Sequence, residues 1–235
     1  MIEGIQLASQ ALSKGMSNLS VTANNLANIN TTGFKRDLPF AEMLDAEGQI
    51  YYEQYTDHQM GDIVNTNNPL DVALSGEGYF TVDNGQETLF TKNGEFKLSV
   101  DGFLVNSLGH KVLGQGGEIN LGEYKMEDNQ QIRITQEGEI LVGKHSVDTL
   151  QIAKISDIRD LKKTEGSCFR LSAGSYESLE EGEFMVSQGY LESSNVNPII
   201  EMEAMIQMSK DYEAATKMIQ ALDKSLEEAN QIGKV

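Results

Sequence analysis

The chain has 235 residues, of which 39% are hydrophobic, and a mean hydropathy of −0.36. This supports one large or two modest folded domains and argues against wholesale disorder. No run approaches the roughly 18 apolar residues of a membrane span, so direct membrane insertion is not expected. The formal charge of −18 argues against nucleic acid as a partner.

The first predicted element is a helix from about Ile2 to about Asn30. Ile5, Ala8, Leu12, Gly15, Leu19, Thr22, Leu26 and Ile29 step by three and four residues in turn, laying one apolar stripe along one side. Glu3 and the interspersed Gln, Ser and Asn are unlike a cleavable secretory signal. Between Gly4 and Phe34 the only charged side chain is Lys14. A helix so poor in charge is badly matched to water all round, which predicts a surface that becomes covered. Gly15, with Ala8 and Ala11 nearby, would let a neighbouring backbone come close. Asn24, Asn25 and Asn28 offer hydrogen bonds across an interface without the desolvation cost of a charge. Their other reading, a polar helix end preparing its cap, suits Asn30 better than these three. Gly33 fits a left-handed C-terminal cap, and Lys35 and Arg36 fall near the negative end of the helix dipole.

Residues 37–68 read as a connector with short extended segments. A short helix is expected around Phe40 to Leu44, then a weak strand carrying Tyr51, Tyr52 and Tyr55. From Pro69 to about Gly189 the period drops to two. Leu70, Val72 and Leu74 alternate with Asp71, Ala73 and Ser75, and Ile132 and Ile134 alternate with Gln131, Arg133 and Thr135. Turn signals recur at Asn84-Gly85, Asn93-Gly94, Asp101-Gly102 and Glu137-Gly138. Strands so spaced, with no helical stretch between them, predict antiparallel hairpins folded into a barrel or sandwich.

The last helix has a clear start. Asn197 can cap, Pro198 suits the first helical position, and Glu201 and Glu203 sit near the positive dipole end. Glu213 and Lys217 make an i,i+4 pair on the outer face. Met205, Met208, Tyr212, Ala215, Ile219, Leu222, Leu226 and Ala229 repeat the spacing of the first helix, and the final five residues look frayed. Each stripe covers about 36 Å at 1.5 Å per residue, so the helices can lie alongside each other over their full length. The spacing serves a closed hairpin and an intermolecular contact equally; the nearly uncharged first helix favours assembly. The expected fold class is α+β, with paired, coiled-coil-like N- and C-terminal helices and a central all-β domain of antiparallel hairpins. Residues 1–36 and 190–235 would form a terminal helical assembly domain, and 69–189 the β-domain.

Enzymatic chemistry finds no support. His58, His110 and His145 are scattered, so no metal is expected. Gly114-Gln115-Gly116-Gly117 lacks the Lys-Ser/Thr of a phosphate loop and reads as a tight turn. Ser75-Gly76-Glu77-Gly78 is followed by no helix pattern and is not a nucleophile elbow. Cys168, the only cysteine, lies in strand-like surroundings and reads as a small buried hydrophobe. No cofactor is expected.

Four segments together resemble one family. Ala23-Asn24-Asn25-Leu26-Ala27-Asn28-Ile29-Asn30-Thr31-Thr32-Gly33-Phe34-Lys35-Arg36 resembles the N-terminal motif of the bacterial flagellar rod and hook family. The run Asn68-Pro69-Leu70-Asp71-Val72-Ala73-Leu74-Ser75-Gly76-Glu77-Gly78-Tyr79-Phe80 resembles its entry into the β-domain. Phe90-Thr91-Lys92-Asn93-Gly94-Glu95-Phe96 resembles its strand pair, and Gln188 to Asn197 the lead into its last helix. The match covers most of the chain; 119–183 is carried by context. One departure is Ser209-Lys210-Asp211-Tyr212-Glu213, where members often carry Gln-Arg-x-Tyr-Glu; a lysine cannot make the arginine's bidentate contact.

The resemblance implies an axial subunit of the flagellar basal-body rod, located outside the cytoplasmic membrane, with paired terminal helices in an inner tube and the β-body further out. It implies passage unfolded through the flagellar type III export apparatus, and as partners copies of itself and other rod and hook proteins. The chain's length looks more like a rod protein than a hook or hook-cap protein, with the proximal rod type favoured over the distal. The expected assembly interface comprises Ile5, Leu12, Gly15, Leu19, Asn24, Asn25, Leu26, Asn28 and Ile29 from the front, with Met205, Met208, Tyr212, Ala215, Ile219, Leu222 and Leu226 from the back. The rival reading is an oligomeric β-barrel binding glycan or peptide, with Tyr51, Tyr52 and Tyr55 as its aromatic cluster; a hydrolase is a distant third.

Overall fold

The computed structural model describes residues 2–38, 41–44, 50–53, 55–122, 124, 131–180 and 182–232, though for 2–11, 41–44, 50–53, 222 and 226–232 the backbone alone. The chain divides into two compact units. One comprises Met1–Ile29, Asp37–Asp57 and Val196–Val235, the other Asn30–Arg36 and His58–Asn195.

The first unit holds helix α1 (Ile2–Ala27), helix α2 (Pro198–Ile232) and an antiparallel hairpin of Ala41–Leu44 with Ile50–Glu53. The hairpin corrects the short helix expected around Phe40 to Leu44. A single helical turn is costly to nucleate, whereas pairing with a tyrosine-containing strand satisfies the backbone at once. The start of α2 is as expected: the Asn197 side-chain oxygen accepts hydrogen bonds from the N–H groups of Ile199 and Ile200, at 3.0 and 3.4 Å. Of the final five residues, Gln231 and Ile232 are helical, and 233–235 lie outside the described residues.

The coiled-coil-like pairing of the terminal helices is not what the fold contains. The helices run for 26 and 35 residues and touch, but few of their described side chains are fully buried. Among the described side chains these are Val21, Thr22 and Asn25 of α1 and Glu201 of α2. A coiled coil would bury its a and d positions along the whole seam. Instead Leu12, Leu19, Met205, Met208, Ala215 and Ile219 are half-buried and Tyr212 is exposed. Heptad spacing decides which side of a helix is apolar; it does not supply a seam to face it.

The second unit is β-structure with antiparallel pairing throughout. Its largest sheet has ten strands, and Tyr79–Asp83 lies within it, pairing with Thr88–Thr91, Lys111–Gly114 and Ile152–Ile155. Both faces of that strand are covered. Phe80 and Val82 join a large core with Val72, Leu74, Phe96, Leu104 and Val112, while Tyr79 joins a smaller one with Phe90, Ala153, Ile155 and Phe169. Smaller pairs join Val72–Ser75 to Met185–Gln188 and Ile63–Asn65 to Tyr190–Glu192, and Ile132–Ile134, Glu139–Val142 and His145–Thr149 form a three-stranded sheet.

The alternation at Ile132 and Ile134 follows burial, with Arg133 exposed between them. At Leu70 to Ser75 it does not, because Asp71 and Ala73 are buried as well. Asp71 is tolerated there because Thr66 and Asn68 donate side-chain hydrogen bonds to its carboxylate, at 2.6 and 2.8 Å. The Asn84-Gly85, Asp101-Gly102 and Glu137-Gly138 turns place glycine at positive φ. Gly94 serves another purpose: a Cβ there would fall 1.8 Å from the carbonyl oxygen of Val72, whose N–H bonds back to Gly94. The residue is glycine because two backbones meet.

Candidate assembly surface and a buried charge cluster

Each unit contains one feature that bears on function. In the helical unit, Asn25 is 1% exposed and acts as an internal tie. Its side-chain oxygen accepts from the Asp37 N–H at 2.9 Å, while its amide nitrogen donates to the Asp37 carbonyl at 2.8 Å and the Glu201 carboxylate at 3.3 Å. One side chain thus joins α1, the chain after it and the first turn of α2. Asn28 donates to the Asn24 carbonyl at 2.9 Å, the helix-end role considered for these asparagines, and Asn24 is exposed.

Leu26 and Ile29 are half-buried, as are the stripe residues named above except the exposed Tyr212, while Ile5, Leu222 and Leu226 have side chains outside the described set. Gly15 is half-buried, and a Cβ there would meet nothing within 4 Å inside the chain. Beside the expected stripe α2 carries a second one. Ile199, Met202 and Ile206, spaced by three and four residues, are 71%, 46% and 57% exposed. Met16 of α1 and Met218 of α2 are exposed too. The spacing of Ile199, Met202 and Ile206 was visible in the sequence, but a reading that settled on one stripe passed over it.

The β-unit holds a buried charge cluster that the sequence reading missed. Lys35 and Glu192 are 0% and 1% exposed and form an ion pair of 2.6 Å. The Lys35 ammonium also donates to the Gln59 carbonyl at 2.6 Å, and the Glu192 carboxylate accepts from the Gly61 N–H at 3.0 Å. Expected to interact with a helix dipole, Lys35 is instead fixed inside the β-unit. The neighbouring backbone is held equally firmly: Gly33 donates to the Glu192 carbonyl at 2.8 Å and Arg36 to the Asn195 side chain at 2.7 Å. The Lys163 ammonium donates to the Lys35 carbonyl at 2.7 Å and lies 3.6 Å from the centre of the Phe34 ring.

Lys92 completes the cluster. It is 5% exposed, donates to the Gly76 carbonyl at 2.9 Å and sits 5.5 Å from the Tyr79 ring centre. Burial pushes its ammonium down to about 8; Glu192 opposes that fall and Lys35 adds to it. Burial, with Glu192 second, drives the Tyr79 phenol well above its ordinary range, and its hydroxyl hydrogen-bonds His58 Nδ1 at 2.8 Å. Both charged partners lay in quoted motifs, Phe34-Lys35-Arg36 and Tyr190-Leu191-Glu192, but no local pattern pairs residues so far apart.

The arrangement does not describe catalysis. Cys168 is buried in a strand, and burial pushes its thiol up to about 11, far from a reactive thiolate. Among the described residues no group of three His, Cys, Asp or Glu is disposed to hold a metal, and no helix is long and apolar enough to cross a membrane. Tyr51 and Tyr52 have side chains outside the described set, and Tyr55 is half-buried.

Three family models match the chain in order along its length. They are "Flagella basal body rod protein" over residues 5–35, "Flagellar hook protein FlgE/F/G D1 domain" over 73–142 and "Flagellar basal body rod FlgEFG protein C-terminal" over 187–232. Similar relatives include the flagellar basal-body rod protein FlgF of Escherichia coli, 29% identical over 99% of this chain and 98% of the relative. FlgF of Caulobacter vibrioides is 27% identical over 92% of each chain. FlgG of Agrobacterium fabrum is 28% identical over 94% of this chain and 96% of the relative. With both terminal segments and the β-region matched in sequence order, the chain belongs to the flagellar basal-body rod protein family.

Proposed function

We infer that this protein is a structural subunit of the flagellar basal-body rod, located in the basal body, and not an enzyme. The observation that carries the mechanism is the state of the terminal helices. Apart from the buried Thr22, the described residues of their expected stripe are half-buried or exposed, and a second apolar row on α2 is exposed beside it. A helical filament requires two unlike surfaces on each subunit, joined head to tail without closing. The helical unit offers them through the interface residues Leu12, Leu19, Leu26, Met205, Met208 and Ile219 on one row and Ile199, Met202 and Ile206 on another. Neighbouring copies and other rod or hook proteins cover these rows, and the subunit reaches its site through the flagellar type III export apparatus. The β-unit, which completes its own core, is carried along by the helices.

Purified protein should form open polymers whose length grows with concentration, and a strain lacking the chain should stop basal-body construction at the rod. A sample that stays monomeric at every concentration, with intact basal bodies in the deletion strain, would overturn this reading. Closed oligomers of fixed size would favour the β-barrel binding module instead.

A further inference from the structure

The β-unit carries a second contact element that the helices do not explain. An open cleft of about 880 Å³ is lined by Asn65, Asn67, Asn68, Gln131, Arg133 and Gln188, among others. Strands Ile63–Asn65 and Ile132–Ile134 contribute to its walls, and each has a strand partner on one side alone among the described residues. Gln188 is committed to the fold: it donates to the carbonyls of Pro69 and Ile132 at 2.7 and 3.0 Å and accepts from the Ile134 N–H at 3.2 Å. Asn65, Asn67, Gln131 and Arg133 are exposed, and Arg133 has no ion pair among the described residues. Asn67 holds a positive φ of 57°, which turns the chain at the cleft wall.

This lining selects its occupant. A sugar would want an aromatic platform, which the cleft lacks. A nucleic-acid strand would want several cations, and the cleft has one. The outward backbone groups of Ile132 and Ile134 are met by Gln188, so the open edge is that of Ile63–Asn65. Amide side chains beside it suit an extended polypeptide added as a further strand. The lone guanidinium calls for a carboxylate on that strand, which a chain of net charge −18 supplies readily. The β-unit also presents a donor. Strand Tyr176–Ser178 is exposed at every residue, pairs with Ile152–Ile155 alone among the described residues and carries Glu177 at its centre.

We propose that the cleft of one copy receives the Tyr176–Ser178 strand of a second copy, with Glu177 on Arg133. The contact is heterologous, so it propagates in an open array as the helices do. It rests on the assembly reading above and adds the β-unit as a second point of grip.

A charge exchange tests it. Arg133→Glu and Glu177→Arg should each lower the yield of polymer at 0.15 M salt several-fold, and the double variant should regain most of it. An Asn67→Cys, Tyr176→Cys pair in a Cys168→Ala background should give disulfide-linked ladders in polymers but not in dilute monomer. Wild-type polymer is the control for the assembly reading. If it forms while single charge variants polymerise normally, or the double variant is no better than the singles, the cleft contact is wrong and the helical interface stands. If no wild-type polymer forms, both fall.

Discussion

In the β-unit Phe80, Phe96, Val112, Ile140 and Phe169 are sealed from water, while within the described stretches of α1 and α2 no apolar side chain is sealed to that degree, Val21 coming nearest. The two units solve different problems. Antiparallel strands satisfy their backbones against one another and cover both faces of their central sheet, so that unit is complete in a single chain. Two helices with few fully buried side chains among those described satisfy their backbones but leave apolar residues such as Ile199, Met202 and Ile206 uncovered. The contrast fits the proposal that the β-unit supplies most of the stability and the helical unit the main surface for polymerisation.

The largest effect that tests this division is expected at Leu19. Leu19→Asp places a charge in the half-buried stripe and should abolish incorporation into filaments, while the near-UV spectrum and unfolding midpoint of the β-unit stay unchanged. Normal assembly of that variant would show that the stripe is not an interface. Next come the buried charges. Lys35→Met or Glu192→Leu each strands an unpaired ion in the β-unit and should cost about 3–5 kcal/mol in urea unfolding, whereas the double replacement should recover most of the loss. Equal destabilisation by the double variant would mean that the pair contributes more than it costs to bury.

A smaller loss is expected at Asn25. Asn25→Ala removes three hydrogen bonds within the helical unit and leaves buried backbone groups of Asp37 unmatched, a cost of about 1–3 kcal/mol. It should show as faster amide exchange at Asp37 and in the first turn of α2, with the β-unit unaffected. The smallest effect is one of pH. The folded Lys92 ammonium releases its proton near pH 8 and the unfolded one near 10.5, so between those values the unfolded chain holds more protons and stability rises with pH. Cys168 acts oppositely between about 9 and 11, because the unfolded thiol ionises first, and Tyr79 does so above 10. The urea midpoint should therefore climb from pH 7.5 to 9 and fall above 10, and Lys92→Met should remove the climb. A flat profile in the wild-type protein would place Lys92 in a wetter setting than its burial indicates.

Local signals carried much of the architecture. The capping asparagine before Pro198, the period-two strands around Ile132 and the glycine turns at Gly85, Gly102 and Gly138 are each decided within a few residues by backbone geometry and side-chain alternation. The family resemblance was legible for the same reason, since its motifs are contiguous. What was not legible depends on distant residues meeting. The pairing of Lys35 with Glu192, the use of Asn25 to hold Asp37 and Glu201, and the need for Gly94 opposite Val72 join positions that no short window contains.

The heptad stripes show where that boundary lies. Side-chain periodicity determined that each terminal segment is a helix with an apolar side, because hydrophobicity and helical geometry are properties of the local chain. Only the tertiary structure decided that the two sides do not close on one another as a full seam, because burial depends on which surface lies opposite. The same principle placed a lysine inside the β-unit: a charge enters a core only when a partner from elsewhere in the chain arrives to meet it.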